Sequence, residues 1–302
     1  MTAFYSWVAG LAASGILPGD FQYPFLVRGF LSVLVLAPVL GGLSHLVVTR
    51  RMAFFSAALG QAALTGVAIG LLVGEPINAP YGGMFGFCLV STLAMVYVKS
   101  HATLPSDTLI GVFHALTLGL GLCLLVALTR QFNVHQVESV LFGSLLTVTD
   151  GDLALLVAVG VVVGALLLRQ YNALVLDSLN PPLASVTGAD SAYLEYLFAF
   201  LLALSIVVSL KVIGALLGES LVVVPAAAAR NLARSTRGYL VWSIGVAFLA
   251  GIGGLGVSTR LLVPTGGAVV LAASLLFFLT LLARLFMPRT AQDVPTPGRA
   301  NA

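Results

Sequence analysis

The residue that stands out chemically in this 302-residue sequence is Glu219, a carboxylate in an almost wholly apolar segment running from Gly214 to Arg230. A charge in the middle of a membrane helix costs about 2.5–3.5 kcal/mol, so such a group usually faces a protein interior or a water-filled path. Pro225 cannot donate a helix hydrogen bond, which leaves a carbonyl one turn earlier for neighbouring groups to satisfy. Gly214 and Gly218 have the GxxxG spacing that lets another helix approach closely. The segment is predicted to be a packed membrane helix containing one costly carboxylate.

The other polar residues do not favour an enzyme. Neither lysine, Lys99 or Lys211, lies in the GxxxxGK[ST] pattern of a P-loop, so the chain is not expected to hold a nucleotide itself. The sequence also contains no HExxH and no GxSxG pattern. The four histidines are scattered along the chain, at His45, His101, His114 and His135. We therefore expect no catalytic activity and no covalently bound cofactor.

Composition places the chain in a membrane. Hydrophobic residues make up 59% of the sequence, charged residues only 8%, and the mean hydropathy is +1.08. Soluble domains carry about 25% charged residues, so this chain has too little polar surface to sit in water. It is predicted to be an integral membrane protein.

The apolar runs predict an all-α polytopic protein with eight or nine transmembrane helices. The predicted spans are residues 25–48, 54–73, 81–98, 108–128, 153–168, 193–209, 212–229, 239–257 and 266–286. Residues 140–146 are apolar but too short to cross about 30 Å of hydrocarbon, so we expect a half-helix or re-entrant piece there. A polar loop is expected over 169–191. Outside the transmembrane domain (25–287), residues 1–24 are expected to be interfacial and residues 288–302 to form a disordered tail.

The basic residues predict the orientation of the chain. With the N-terminus outside and the C-terminus in the cytoplasm, 10 of the 14 lysines and arginines lie on the inner side and 4 on the outer side. This is the asymmetry that the positive-inside rule requires. The outer four are Arg28, Arg130, Lys211 and Arg260. We expect a multi-pass protein of the cell (inner) membrane.

Five segments, in order along residues 23–286, resemble the permeases of zinc/manganese-type ABC transporters. They are YPFLVRGF (23–30), RRMAFF (50–55), DTLIGVF (107–113), LFGSLL (141–146) and the segment 214–230 described above. The resemblance implies a homodimeric channel that imports a divalent metal ion as its substrate. It also implies two kinds of partner, an extracytoplasmic solute-binding protein and a separate cytoplasmic ATPase.

The same resemblance assigns a role to the segment 178–188. Members of the family carry a short cytoplasmic helix before the sixth span, and here Ala184 and Gly188 keep its spacing. Asn180 followed by Pro181 is a plausible helix start. The functional interpretation is a coupling helix that docks in a cleft of the ATPase. The alternative is an ordinary connector.

The chain departs from the family where the metal would bind. Members typically carry Asp-x-x-x-His at the start of the second span, and the matching positions here are Ala57 and Gln61. Gln61 lies ten residues after Arg51, and Glu219 lies eleven before Arg230. At 1.5 Å per residue both are roughly 15–16 Å from the inner boundary, near mid-membrane. We expect Glu219 to be the charged group of the transport path and its metal ligand, with Gln61 as a neutral oxygen partner. The alternative is that Glu219 makes an interhelical contact.

Three further polar residues are candidates for the path. Ser56 is adjacent to Ala57, and Ser220 is adjacent to Glu219. His114 lies about 10 Å into the fourth span. His114 is also readily explained as a hydrogen-bonded packing residue. Two other functions stay open. One is import of a different small solute or a metal chelate by the same architecture, and the other is proton-coupled secondary transport using Glu219.

Overall fold

The structure is a computed structural model that describes residues 5–8, 10, 22–76, 80–129, 148–214, 218–261 and 263–286; within these ranges the side chains at 128–129, 211–213 and 218–219 are left undescribed. The described residues form ten long or short helices and no strand. The helices are α1 (Pro24–Thr49), α2 (Ala53–Val73), α3 (Tyr81–His101), α4 (Ser106–Thr129), α5 (Asp150–Leu179), α6 (Pro181–Val186), α7 (Ser191–Ile213), α8 (Gly218–Leu232), α9 (Thr236–Leu261) and α10 (Thr265–Phe286).

Local signals fix several helix ends. α1 begins with Pro24. Proline lacks a backbone N–H, and this is tolerated in the first turn because an N–H there has no intrahelical partner. α5 begins with a capping box, in which Thr149 and Asp152 each accept from the other's backbone N–H. The carboxylate of Asp190 caps α7 by accepting from Ala192 N. These caps satisfy backbone donors that the helices cannot satisfy themselves.

Eight of the described helices are long and apolar enough to cross a membrane, which confirms the predicted fold class. The predicted span 212–229 corresponds to α8, which begins only at Gly218 and is 15 residues long. The polar loop predicted over 169–191 is wrong in its first part, because α5 continues as a helix to Leu179. Its 30 residues measure about 45 Å, so the helix extends beyond the roughly 30 Å of hydrocarbon.

Three helices form the centre of the bundle. In α1 and α2, 72% of the most apolar stretch is buried, and in α7 the share is 67%. For α10 it is only 11%. α1 packs against α5, α7, α8 and α9, while α2 packs against α3, α4, α7 and α8. The short helix α8 therefore lies against all three central helices, α1, α2 and α7.

Backbone-to-backbone packing joins α2 to α3. A Cβ atom added at Gly83 would lie 2.5 Å from the backbone nitrogen of Gly70 and 2.6 Å from its Cα. A Cβ atom added at Gly66 would lie 2.5 Å from the Gly83 carbonyl oxygen. Main-chain atoms cannot rotate away as a side chain can, so these glycines set the separation of the two helices.

The start of α5 is tied to α1 by an ion pair. Arg28 Nε donates to the Asp150 carboxylate at 2.6 Å, and the Tyr5 hydroxyl donates to the same oxygen at 2.8 Å. Asp150 is the first residue of α5. The pair lies at the end of the bundle opposite α6 and fixes α5 to α1 there.

Some predicted segments lie outside the residues that the structure describes. These are most of the interfacial segment 1–24, the half-helix at 140–146 and the tail 288–302. The division into those segments and a transmembrane domain stays a prediction.

Candidate functional site

Gln61 lies in the interior of α2 with a polar atom left over. Its side chain is 4% exposed, and its amide oxygen Oε1 has no hydrogen-bond partner among the described residues. An unpaired carbonyl-type oxygen in a dry interior is costly, by about 1–3 kcal/mol. Such a group is commonly explained by a water or an ion at the site. Gln61 is thus an oxygen donor without a protein partner.

His114 on α4 has a similar character. Its Nδ1 is buried and has no hydrogen-bond partner among the described residues. The interpretation of His114 as a hydrogen-bonded packing residue therefore has no support at Nδ1. The prediction that His114 lines the path stays a prediction. Its Nδ1 is available to bind a ligand.

A threonine pair sets the relative height of these two residues. The Thr65 hydroxyl on α2 donates to the Thr117 carbonyl on α4 at 2.7 Å. Gln61 precedes Thr65 by four residues and His114 precedes Thr117 by three, which is about 6 Å and about 4.5 Å along the two helices. The sequence estimate had separated them by about one turn. The structure therefore brings Gln61 and His114 to nearly the same level on two packed helices.

The two serines are placed differently. The Ser56 side chain is buried in the first turn of α2, where its hydroxyl donates to the Ala53 carbonyl at 2.7 Å. That hydroxyl keeps oxygen lone pairs, but its proton is used locally. Ser220 is half-buried in the first turn of α8.

Glu219 belongs to the first turn of α8 by its backbone, while its side chain lies outside the described part of the chain. The GxxxG spacing predicts that Gly214 and Gly218 lie on one helix face. In the structure the two glycines lie at the ends of different helices. Gly214 ends α7 with a φ of +93°, in the left-handed region that favours glycine. By its backbone, Glu219 therefore belongs to the start of a new helix and not to the middle of one.

A hydrogen bond from α1 supports α8 at its proline. Pro225 cannot donate to the carbonyl one turn earlier, so the helix ladder is weakened there. The next backbone N–H, that of Ala226, donates to the Ser44 hydroxyl of α1 at 3.1 Å, and this contact is buried. No motif in the sequence marks Ser44. The contact joins α1 directly to the helix that carries Glu219.

The segment predicted to be a coupling helix is a helix, α6. Asn180 caps it by accepting from Leu183 N at 3.3 Å, and Pro181 occupies its first position, as the sequence predicted. Ala184 is fully buried, so a substitution there would disturb packing of α6 on the bundle. By contrast Leu183 is 49% exposed and Val186 84% exposed.

Gly188 follows α6 with a φ of +82° and stands in open space. No atom of the described chain would lie within 4 Å of a Cβ added there. The exposed side of α6 and Gly188 thus form a small, partly apolar surface at one end of the bundle, which we call the α6 surface: Leu183, Val186 and Gly188. A contiguous apolar patch exposed to water is typical of a protein contact.

Arg50 and Asp177 form a buried ion pair close to α6, and neither was singled out from the sequence. Arg50 Nη2 donates to Asp177 Oδ2 at 2.8 Å, and the two side chains are 9% and 7% exposed. Burial lowers the pKa of the Arg50 guanidinium, and the charge of Asp177 opposes this shift. Asp177 is the one acidic residue between 153 and 189, and this isolated charge is the sequence signal that could have identified it.

His45 makes close packing contacts, although its Nε2 is buried with no hydrogen-bond partner among the described residues. Its Nδ1 lies 2.6 Å from the Gly42 carbonyl, and its ring lies 5.5 Å from that of Tyr171 and 5.8 Å from that of Tyr239. Within the described part of the chain no three His, Cys, Asp or Glu residues come together as metal ligands would. Gln61 and His114 therefore stand apart from any such cluster among the described residues.

Comparison with known proteins covers nearly the whole chain. A sequence model described as the ABC 3 transport family matches residues 22–284. The "High-affinity zinc uptake system membrane protein ZnuB" of Haemophilus influenzae is 34% identical over 266 residues, which are 88% of this chain and 98% of the relative. The "Manganese import system permease protein ScaB" of Streptococcus parasanguinis is 29% identical over 86% of this chain and 90% of its own.

Solved structures show the same architecture. The structure "PsaBC from Streptococcus pneumoniae in complex with Fab" superposes with a TM-score of 0.76 at 25% identity, covering 93% of this chain and 95% of that chain. A "putative metal-chelate type ABC transporter" in an inward-facing conformation has the same fold, with a TM-score of 0.64 at 18% identity over 85% of each chain.

Proposed function

Because the chain belongs to the ABC 3 transport family, we propose that it is the permease of an importer for a divalent metal ion, zinc or manganese. The observation that carries the proposal is the 34% identity to a zinc uptake permease, which extends over 98% of that relative. A subunit of this kind is a transport channel and not an enzyme. The energy for transport comes from a separate ATPase.

The complete importer that we propose contains two copies of this chain. Two ATPase subunits lie beneath them on the cytoplasmic side, and a solute-binding protein delivers the metal from outside. The α6 end of the bundle is the cytoplasmic end in this arrangement. The distribution of basic residues supports it, since Arg50, Arg51 and Arg230 all lie near that end.

The proposed path runs between α2, α4 and α8. Gln61 and His114 offer an oxygen and a nitrogen that have no partner in the described part of the chain, at nearly the same level. α8 packs against α2, which supports Glu219 as the charged group of the same path, with Ser56 and Ser220 as further oxygen donors. In a dimer two Glu219 carboxylates would repel each other, and a divalent cation between them would relieve that repulsion. Movement of the ATPase would change the side to which this path opens.

A metal chelate is the second candidate substrate. The observation that favours it is the presence of Ala57 and Gln61 where the resemblance predicts aspartate and histidine. An oxygen-rich site with one imidazole is less selective for zinc than a site with more nitrogen ligands. A chelate brings its own ligands and needs few from the protein.

Reconstitution tests the proposed function. In liposomes that contain this chain, the ATPase and the binding protein, we expect ATP-dependent uptake of zinc or manganese. The mass of the detergent-solubilised complex should correspond to two permease and two ATPase chains. Uptake of a chelate but of neither free ion would select the second candidate. A functional complex with a single permease chain would contradict the dimeric path.

Replacing Gly188 with tryptophan is expected to reduce ATP-driven transport by about tenfold or more, because a bulky group on the α6 surface blocks docking. Gly188→Ala is the matched control. It carries the same left-handed backbone strain, about 1–2 kcal/mol, but adds only one carbon to an open site. The control should retain most of its transport, and both variants should insert and fold. Unchanged ATPase stimulation and transport in Gly188→Trp would rule out docking at this surface.

A further inference from the structure

Arg50 touches both of the helices between which α6 is suspended. α5 ends at Leu179, just before α6, and α7 begins at Ser191, just after it. On the α5 side, Arg50 Nη2 donates to Asp177 at 2.8 Å and to the Leu174 carbonyl at 3.3 Å. On the α7 side, the guanidinium lies over the Phe198 ring, 5.0 Å from its centroid. One side chain from the end of α1 therefore joins both flanks of α6.

The same helix α1 reaches α8 six residues earlier. Ser44 accepts from the backbone N–H of Ala226, directly after Pro225. Since Pro225 weakens the α8 ladder at this point, the bond from α1 is one of the contacts that hold the shape of α8 there. Ser44 lies in α1 and Arg50 caps the C-terminal end of the same helix, which transmits displacement as a rigid element.

We propose that Arg50 is a positioning residue that passes movement of α6 to α1 and, through Ser44, to α8. The proposal rests on the proposed function, in which an ATPase moves α6. It adds a specific route from the ATPase contact to the helix that carries Glu219. Arg50 touches no transported ion and acts only through the helices it joins.

The chemistry of arginine suits this role. A planar guanidinium can bond a carboxylate at one edge and stack on an aromatic ring with its face, and lysine cannot do both. Arg50 Nε and Asp177 Oδ1 have no partner among the described residues, so the pair is held by one bond. Both bonds to α5, those to Asp177 and to the Leu174 carbonyl, come from the one nitrogen Nη2, about which the two helices can pivot while the link persists.

A second ion pair beside α6 provides a matched control. Lys99 Nζ donates to Glu195 at 2.5 Å, and their side chains are 25% and 26% exposed. It joins α7 to α3, and α3 packs on α2, α4 and α7. The charge of Glu195 also acts on Arg50, and it stays in place when Lys99 is neutralised. Since the link through Ser44 starts from α1, neutralising Lys99 should leave the proposed route intact.

The test measures zinc transported per ATP hydrolysed by the reconstituted importer. Arg50→Gln and Asp177→Asn should each lower this ratio about tenfold, while complex formation and the rate of hydrolysis stay within about twofold of wild type. The double variant should be no worse than either single variant, because both remove one link. Lys99→Gln should keep the wild-type ratio. Ser44→Ala, which leaves the ion pair untouched, should lower the ratio in the same way.

Two results would overturn the proposal. One is a wild-type ratio in Arg50→Gln or Asp177→Asn. The other is a loss in which zinc uptake, hydrolysis and the thermal midpoint fall together, because that pattern marks a structural role alone. If Arg50→Gln does not fold, the isosteric Asp177→Asn carries the test. Failure of the proposed function looks different, since the wild-type complex would then show no ATP-driven uptake, and the proposal would fall with it.

Discussion

Replacing Glu219 with glutamine is expected to abolish uptake of the free cation, with a loss of about 100-fold or more, equivalent to at least about 2.7 kcal/mol. The amide has nearly the shape of the carboxylate but carries no charge, so only the attraction for a cation is removed. Glu219 is the one acidic residue between Glu195 and Asp293. Uptake by the reconstituted importer is the quantity to measure, and Glu219→Ala should behave in the same way.

A control variant separates charge from folding. Glu219→Asp keeps the carboxylate and should retain measurable uptake. All of the Glu219 variants should insert and still bind the ATPase. Full uptake in Glu219→Gln would show that the residue makes an interhelical contact, and it would favour a substrate that is not a free cation.

Replacing Gly83 with valine is expected to destabilise the protein by about 3 kcal/mol or more, at the upper end of what overpacking costs. The added Cβ would lie 2.5 Å from the Gly70 nitrogen, and the only relief is separation of α2 from α3. Gln61 lies on α2, which packs against both α3 and α4. Separation of α2 from α3 would therefore also disturb the candidate path. Yield of monodisperse protein and its thermal midpoint measure the effect.

Gly86→Val is the matched control for this prediction. Gly86 lies one turn further along α3, and no atom would lie within 4 Å of a Cβ added there. It faces outward and is exposed. Its valine variant should melt close to wild type. A wild-type midpoint in Gly83→Val would mean that the backbone contact between α2 and α3 does not limit their approach.

Hydropathy was sufficient to predict most of the spans, because long apolar runs have few alternatives in a membrane. It failed at 169–179, where α5 continues as a helix through Arg169, Gln170 and Asp177 outside the hydrocarbon. Apolar content reports the thickness of the membrane and not the length of the helix. The start of α6 was predictable, because Asn180 followed by proline is a local signal.

The candidate site was predictable only residue by residue. Gln61 and Glu219 were marked by their polarity in apolar surroundings. The sequence did not predict that Gln61 and His114 lie at nearly the same level. That arrangement depends on the contact between Thr65 and Thr117, which are 52 residues apart. Ser44 and Arg50 were missed for the same reason. Their roles come from partners on other helices, and a single sequence does not show which helices meet.

The length of α5 gives it the geometry of a lever arm. Its first residue, Asp150, is pinned to Arg28, and its last turn carries Asp177 and leads into α6. Over about 45 Å, a tilt of about 10° around the pinned end displaces the tip by about 8 Å. Within the bundle the same tilt moves the middle of the helix by about half as much. A modest closing motion under the membrane is thereby matched to the smaller displacement that opens or shuts a path for a single ion.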